Sequence, residues 1–349
     1  MSDMPRVSPA RLGLLYQKAW TGLRRATRPL AGLLAALSGL AAVSVADAQS
    51  FDLQAHRGGR GLAPENSLAA FGRALALGVS TLELDLVVSR DDRILIGHDL
   101  ELDPAKVRTP DGRWLVAPGP AVRALDAEAL RRFDVGRLDP ASRYGRQWPE
   151  QVPADGERMP TLAELAALLE ARGARHVRLF LETKIRPDRP ELSPAPERFA
   201  ELLVAELRRL DLLQRSAVQS FDWRTLRAVR ALAPELPTAC LTARQRWLDN
   251  LADGSWTAGL RLEAVGGSVP RLVAAAGCRI WAPFHGDLDP LDIRRAEHFG
   301  LRVVPWTVNE PARMRELLGQ GVHGLITDHP DRLRAVLAAI GMPLPPAFP

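Results

Sequence analysis

Residues 54–99 read QAHRGGRGLAPENSLAAFGRALALGVSTLELDLVVSRDDRILIGHD, and this run decides the architecture of the chain. It opens on a short strand ending at His56 and Arg57, turns through glycines, and enters a helix started by Pro64, Asn66 and Ser67. A second strand is predicted over Thr81 to Val88. Strand side chains repeat with a period of two, so Glu83 and Asp85 share one face, with Cα atoms roughly 6 to 7 Å apart. Like charges on a buried face repel, which requires a proton on one carboxyl or a positive group between them. A hairpin turning at Arg90, Asp91 and Asp92 then brings His98 back to the same rim.

The same strand–helix unit recurs outward from this run. Strands are expected over His176 to Glu182, Ala217 to Ser220, Thr238 to Leu241, Arg279 to Ala282, Leu301 to Thr307 and Gly324 to Thr327. Between them, Pro196 to Leu210 puts Phe199, Leu202, Leu203, Leu207 and Leu210 on one helical face, and Asp222 caps a helix running to about Leu232. Further helices fall near Leu291 to Phe299, Pro311 to Leu318 and Pro330 to Ile340. About eight strands in strict alternation predict a TIM-type (β/α)8 barrel, with a doubly wound open sheet as the alternative. Two stretches break the alternation. Leu100 to Arg158 is too long for a simple loop and reads as a subdomain inserted after the second-strand hairpin, over the barrel mouth. Arg244 to Pro270, with Trp247, Trp256 and Gly266-Gly267, is a shorter excursion near the mouth, its aromatics free to line a pocket or to pack a core.

A chain of 349 residues that is 46% hydrophobic can bury a sizeable core, and its net charge of +5 is concentrated at the start. Residues 1–48 carry six basic and two acidic groups, which leaves 40 basic against 39 acidic in the rest and no case for a nucleic-acid partner. Arg24, Arg25 and Arg28 precede an apolar run from Pro29 to Val45 and the small-x-small sequence Ala46-Asp47-Ala48. That is the form of a cleaved export signal, short for a membrane span, so the expectation is an exported, periplasmic protein without a lasting membrane anchor. The residues that usually follow a twin-arginine pair are missing, and no cysteine in the leader offers a lipid attachment. The mature domain is expected over 49–340, ahead of a proline-rich tail at 341–349. Cys240 and Cys278 are the only cysteines; placed at opposite ends of neighbouring strands, they are expected to remain unpaired.

Barrel chemistry sits at the C-terminal strand ends. Glu182 and Lys184 end the third strand, next to the strand carrying Glu83 and Asp85, so three carboxylates converge. A hard divalent cation, Ca²⁺ or Mg²⁺, takes oxygen ligands and relieves their repulsion, while an ion network through Lys184 is the plainer alternative. Zinc is disfavoured, because no cysteine joins the group. His56 and His98 flank the cluster as an acid–base pair, and Arg57 with Lys184 would neutralise phosphoryl oxygens. Arg57 bound to a barrel carboxylate is the competing reading. His176, His298 and His323 read as structural.

The ordered pieces His56-Arg57-Gly58, Pro64-Glu65-Asn66, Glu83-x-Asp85 and His98-Asp99 resemble the glycerophosphodiester phosphodiesterase family of exported bacterial type. Gln219-Ser220-Phe221-Asp222, Pro305-Trp306-Thr307-Val308-Asn309 and Gly321 to Asp328 extend the likeness along the chain. The resemblance implies metal ligation by the positions of Glu83, Asp85 and Glu182, acid–base roles for His56 and His98, phosphate contacts from Arg57 and Lys184, and Trp306 as a wall of the glycerol pocket. It also implies hydrolysis of small glycerophosphodiesters to glycerol 3-phosphate and an alcohol; attack by the glycerol 2-hydroxyl and attack by water both fit. His323 stands where aspartate is common, Ser67 replaces a usual threonine, and His329 is a further departure. A glycoside hydrolase using paired carboxylates, or a catalytically silent envelope binding protein on the same barrel, are the rival readings.

Overall fold

A computed structural model describes residues 51–349. The predicted leader lies outside the described residues. In chain order the strands are β1 (Asp52–Ala55), β2 (Thr81–Val88), β3 (Ile94–Ile96), β4 (Arg178–Thr183), β5 (Ser216–Ser220), β6 (Thr238–Thr242), β7 (Arg244–Gln245), β8 (Leu248–Asp249), β9 (Ile280–Pro283), β10 (Arg302–Val303) and β11 (Gly324–Thr327). The helices are α1 (Leu68–Leu77), α2 (Ala127–Leu130), α3 (Leu162–Ala171), α4 (Pro196–Arg209), α5 (Trp223–Leu232), α6 (Val269–Ala275), α7 (Pro290–His298), α8 (Pro311–Gly319) and α9 (Pro330–Ala339).

Eight strands pair in parallel in the order β10-β9-β6-β5-β4-β2-β1-β11, and antiparallel β3 adds to β2. Backbone bonds from His323 to Val303 (2.8 Å) and from Ile326 to Pro305 (3.0 Å) join the two ends of this path. The fold is the TIM-type barrel. Its seventh strand is shorter than the expected Leu301 to Thr307, because Pro305 has no N–H to donate. Pairing nevertheless resumes beyond it, with Trp306 donating to Pro283 at 3.0 Å.

Alternation along each strand separates two cores. Outward-facing Leu82, Leu84 and Leu86 of β2 join Phe71, Phe199, Trp223 and Trp281 in the layer between sheet and helices. Inward-facing Phe180, Ala239, Val304 and Ile326 fill the barrel and put a floor under its mouth. The helices start where their caps say. Ser67 accepts from the Ala70 amide at 3.1 Å, Asp222 from Arg224 at 3.1 Å, and Thr161 with Glu164 forms a reciprocal capping box.

The expectation of unpaired cysteines is wrong. Cys240 and Cys278 form a disulfide, with Cα atoms 5.9 Å apart. Cys240 is not at a strand end: β6 runs on to Thr242, and Cys240 faces the outer layer beside Trp281. Cys278 follows the left-handed Gly277 and precedes β9, whose register sets Ile280 against Ala239 and so carries the preceding loop past Cys240. The bond closes a loop spanning 38 residues, for which loop entropy gives about 4 kcal/mol. Replacing both cysteines with serine is expected to cost that order of unfolding free energy by denaturant titration; an unchanged midpoint would mean the bond contributes nothing.

Residues 100–158 hold a small core of their own. Leu102, Val107, Val122 and Leu130, with Met159, pack against Val87 and Leu95 of the β2–β3 hairpin. Leu100, Leu102, Pro104 and Pro118 from this segment line the barrel's main cavity. The shorter excursion forms the β7–β8 hairpin and adds Trp247 and Trp256 to the lining of that cavity. No helix among the described residues is long and apolar enough to cross a membrane.

Candidate active site

Register assembles the acidic cluster. Asp85 of β2 pairs directly with Glu182 of β4, and Glu182 in turn with Gln219 of β5. Glu83 lies two residues back on the same inward face. One oxygen from each of Glu83, Asp85 and Glu182 lies within 4.8 Å of the others. Each carboxylate is separately braced. Glu83 accepts from the Arg57 backbone amide at 2.8 Å and from the Gln219 side chain at 2.6 Å. Asp85 accepts from Asn66 at 2.8 Å, with Arg57 Nε 3.1 Å away, and Lys184 Nζ lies 2.9 Å from Asp85 and 2.6 Å from Glu182. The ion network weighed from sequence is therefore present, and so is Arg57 on a barrel carboxylate.

Arg57 is outside the strand in which the sequence reading placed it. β1 stops at Ala55, and Arg57 adopts a left-handed conformation with φ 52°, which aims its amide at Glu83. The turn depends on Gly58, where φ is 80° and an added Cβ would lie 2.8 Å from that of Ala70.

The network leaves the cluster short of positive charge. Burial, with Asp85 and Glu182 close by, pushes the Glu83 carboxyl well above its ordinary range. Burial also raises Glu182, to about 7, despite Lys184 beside it. Burial acts on Asp85 in the same direction, but Lys184 and Arg57 override it and hold that carboxyl below its usual range. Asp85 Oδ1 is buried with no aligned hydrogen-bond donor, although the Lys184 ammonium is near. Three oxygen donors, two of them resisting ionisation and one with an unfilled acceptor, fit a hard divalent cation.

Both histidines are held through Nδ1 by a carboxylate: His56 by Asp328 at 2.6 Å, His98 by Asp99 at 2.7 Å. An ionised carboxylate only accepts, so Nδ1 carries the proton of each neutral ring and Nε2 is the free nitrogen. His56 Nε2 lies 3.9 Å from Glu83. Burial lowers the two imidazoles to about 4 and about 3 respectively, against the opposing pull of their carboxylates.

One cavity of about 660 Å³ is lined by His56, Arg57, Glu83, His98, Glu182, Lys184 and Trp306, with Asp85 fully buried just behind. Trp306 donates to the Ala282 carbonyl at 2.9 Å and meets Phe221 edge-on at 5.3 Å, so it both closes the barrel core and faces the cavity. His323 is structural as expected, its Nδ1 accepting from Val303 at 3.1 Å. Sequence reasoning missed Asp328, the Asn309 that donates to it at 2.7 Å, and the bracing pair Asn66 and Gln219. The polar residues Asn66, Gln219, Asn309 and Asp328 all sat inside the quoted motifs, and that was the available signal. Lys106 and Tyr144, in the insert, carried none.

A barrel mouth that gathers a carboxylate cluster, two braced imidazoles and two fixed cations defines an enzyme built for an anionic ester. The model of the glycerophosphoryl diester phosphodiesterase family matches residues 56–332. The glycerophosphodiester phosphodiesterase of Caldanaerobacter subterraneus is 28% identical over 80% of this chain and 94% of its own. That of Bacillus subtilis is 29% identical over 81% and 85%. A solved structure from Silicibacter pomeroyi superimposes with a TM-score of 0.76 at 33% identity, covering 84% of this chain and 95% of its own. An Oleispira antarctica phosphodiesterase, solved with its product sn-glycerol-3-phosphate, shares the fold at a TM-score of 0.60 and 21% identity, over 82% and 96% of the two chains. The chain belongs to the glycerophosphoryl diester phosphodiesterase family of enzymes.

Proposed function

We propose that this enzyme hydrolyses glycerophosphodiesters to glycerol 3-phosphate and an alcohol. In this reading Glu83, Asp85 and Glu182 hold Ca²⁺ or Mg²⁺, and His56 and His98 serve as the acid–base pair. One observation carries it: the acidic face and both carboxylate-braced imidazoles open onto a single cavity. The product-bound Oleispira antarctica enzyme supports the choice of substrate. A bound cation supplies neutralising charge to phosphoryl oxygens.

The chain's own groups do the rest. Arg57 and Lys184 face the incoming phosphodiester and offset its charge. Burial keeps both rings neutral, which suits the one that takes a proton from the nucleophile. The anionic substrate raises the affinity of the other for the proton it delivers to the leaving alkoxide. Trp306 walls the glycerol end, and an alcohol group extends towards Trp247 and Trp256. The leader sequence and the Cys240–Cys278 bond both favour export to an oxidising compartment.

Incubation of the protein from Gln49 onward with several glycerophosphodiesters, followed by ³¹P NMR, tests the activity. Glycerol 3-phosphate is expected, its formation stopped by EDTA and restored by Ca²⁺ or Mg²⁺; turnover indifferent to EDTA would overturn the metal dependence, and no glycerol 3-phosphate under any condition would overturn the activity.

Protonation gives a second test. Raised carboxyl pKa values mean that the metal-free cluster holds protons that a cation must displace. Near pH 6 the cation should release about one proton from Glu182 on binding, beyond any held by the raised Glu83 carboxyl, with affinity rising and the Glu182 share of the release fading as pH passes through 7. Calorimetry in buffers of different ionisation enthalpy reads this directly. Release that grows with pH would contradict the assignment.

A further inference from the structure

We propose that Lys106, from the segment inserted after the hairpin, is a positioning residue for the cleavage, setting His98 through Asp99 and Arg57 through Glu65. The inference rests on the acid–base reading of His98.

Lys106 is only 9% exposed, an unusual place for an ammonium. Its Nζ donates to Asp99 Oδ2 at 2.6 Å and to Glu65 Oε1 at 3.1 Å, and lies 4.7 Å from the centre of the Tyr144 ring. Each of those carboxylates uses another contact to hold a site residue. Asp99 Oδ1 accepts a hydrogen bond from His98 Nδ1 at 2.7 Å, and Glu65 Oε1 also accepts from Arg57 Nη1 at 3.0 Å. One ammonium thus fixes which Asp99 oxygen faces the imidazole and where the guanidinium hangs.

The charges make this more than a surface pair. Glu65, His98 and Asp99 offer ligand atoms within 4.8 Å of one another, close enough to resemble a second cation site. The lysine ammonium already holds two of those groups, so no metal is needed there. Without it, Glu65 and Asp99 would repel across a poorly hydrated space, and Asp99 would turn or take a proton. Either change loosens the hydrogen bond that defines the His98 tautomer.

The insert also reaches the other ring. Tyr144 donates to Glu65 Oε2, and Arg60 links the Tyr144 hydroxyl (3.3 Å) to Asp328 Oδ1 (2.7 Å), the oxygen that holds His56. Its contacts therefore run to the carboxylates behind both imidazoles.

The test is a double-mutant cycle on glycerophosphocholine at saturating cation, using Lys106→Met, Asp99→Asn and the pair. Each single change is expected to lower kcat by about 10- to 100-fold, with KM and cation affinity within about twofold. The double variant should lose clearly less than the product of the two single losses, since both changes act on His98, with only the Glu65–Arg57 arm adding to the loss in Asp99→Asn. Independent, multiplying effects, or a loss confined to KM or thermal stability with normal kcat, would overturn the proposal. If Lys106→Met does not fold, Lys106→Gln keeps donors without charge and should lose kcat in the same direction; unchanged kcat there would also overturn it. A second readout survives failure of the phosphodiesterase reading itself. In ¹⁵N spectra, wild-type His98 should be the Nδ1–H tautomer and Lys106→Met a mixture of both, whether or not this substrate is cleaved. Identical His98 signals in the two proteins would remove Lys106 from the role.

Discussion

His98→Ala is expected to lower kcat on glycerophosphocholine by roughly two to four orders of magnitude, and His56→Ala to do the same. In barrier terms that is about 3 to 5 kcal/mol for each ring. The size follows from the way the rings are built in. Each is oriented by a carboxylate on Nδ1, at 2.6 Å for His56 and 2.7 Å for His98, so under the proposed mechanism removal would delete a prepositioned proton carrier rather than a mobile one. Neither ring is among the three carboxylates that would bind the cation, so cation affinity should stay close to that of the unaltered enzyme. Steady-state kinetics at saturating Mg²⁺ or Ca²⁺, paired with a cation titration, separate the two effects. Near-normal turnover in either variant would strip that histidine of its role.

Glu83→Gln is expected to act on the metal first. Loss of groups that merely orient a ligand commonly costs 10- to 100-fold in affinity, so loss of a charged ligand should cost about 100-fold or more. Turnover at micromolar cation should fall to near background and recover partly at millimolar concentrations. Recovery is partial because Glu83 also accepts the Arg57 amide and the Gln219 side chain, and a carboxamide reproduces only some of that pattern. Unchanged affinity would take Glu83 out of the ligand set.

Much of this site was legible because strand periodicity is a local rule. Glu83, Asp85 and Glu182 had to share the inward face once β2 and β4 were read as neighbouring parallel strands, and the register bears that out. The helix start at Asp222 was legible for the same reason, since a cap is a statement about its next three residues; of Pro64, Asn66 and Ser67, only Ser67 caps α1, while Asn66 turns at φ 58° to reach Asp85. The remainder depended on distances no local rule sets. Cys240 meets Cys278 because β6 continues to Thr242 and the loop before β9 passes alongside it, a matter of register rather than composition. Arg57 leaves the strand because of the glycine turn, and its backbone becomes as important to Glu83 as its side chain is to Asp85. Asp328 reaches His56 only because the last strand closes beside the first. Lys106 and Tyr144 sit in a segment of irregular pattern, where side-chain direction has no period to reveal it.

Central to the proposed chemistry is a cation lying among Glu83, Asp85 and Glu182, within reach of both imidazoles. Anomalous diffraction from crystals of the mature chain soaked in Mn²⁺ tests that placement most directly. The predicted result is one strong peak bonded to those three carboxylates, with Lys184 displaced from between Asp85 and Glu182. A peak at Glu65, His98 and Asp99 instead, or none at the three carboxylates at saturating Mn²⁺, would contradict it.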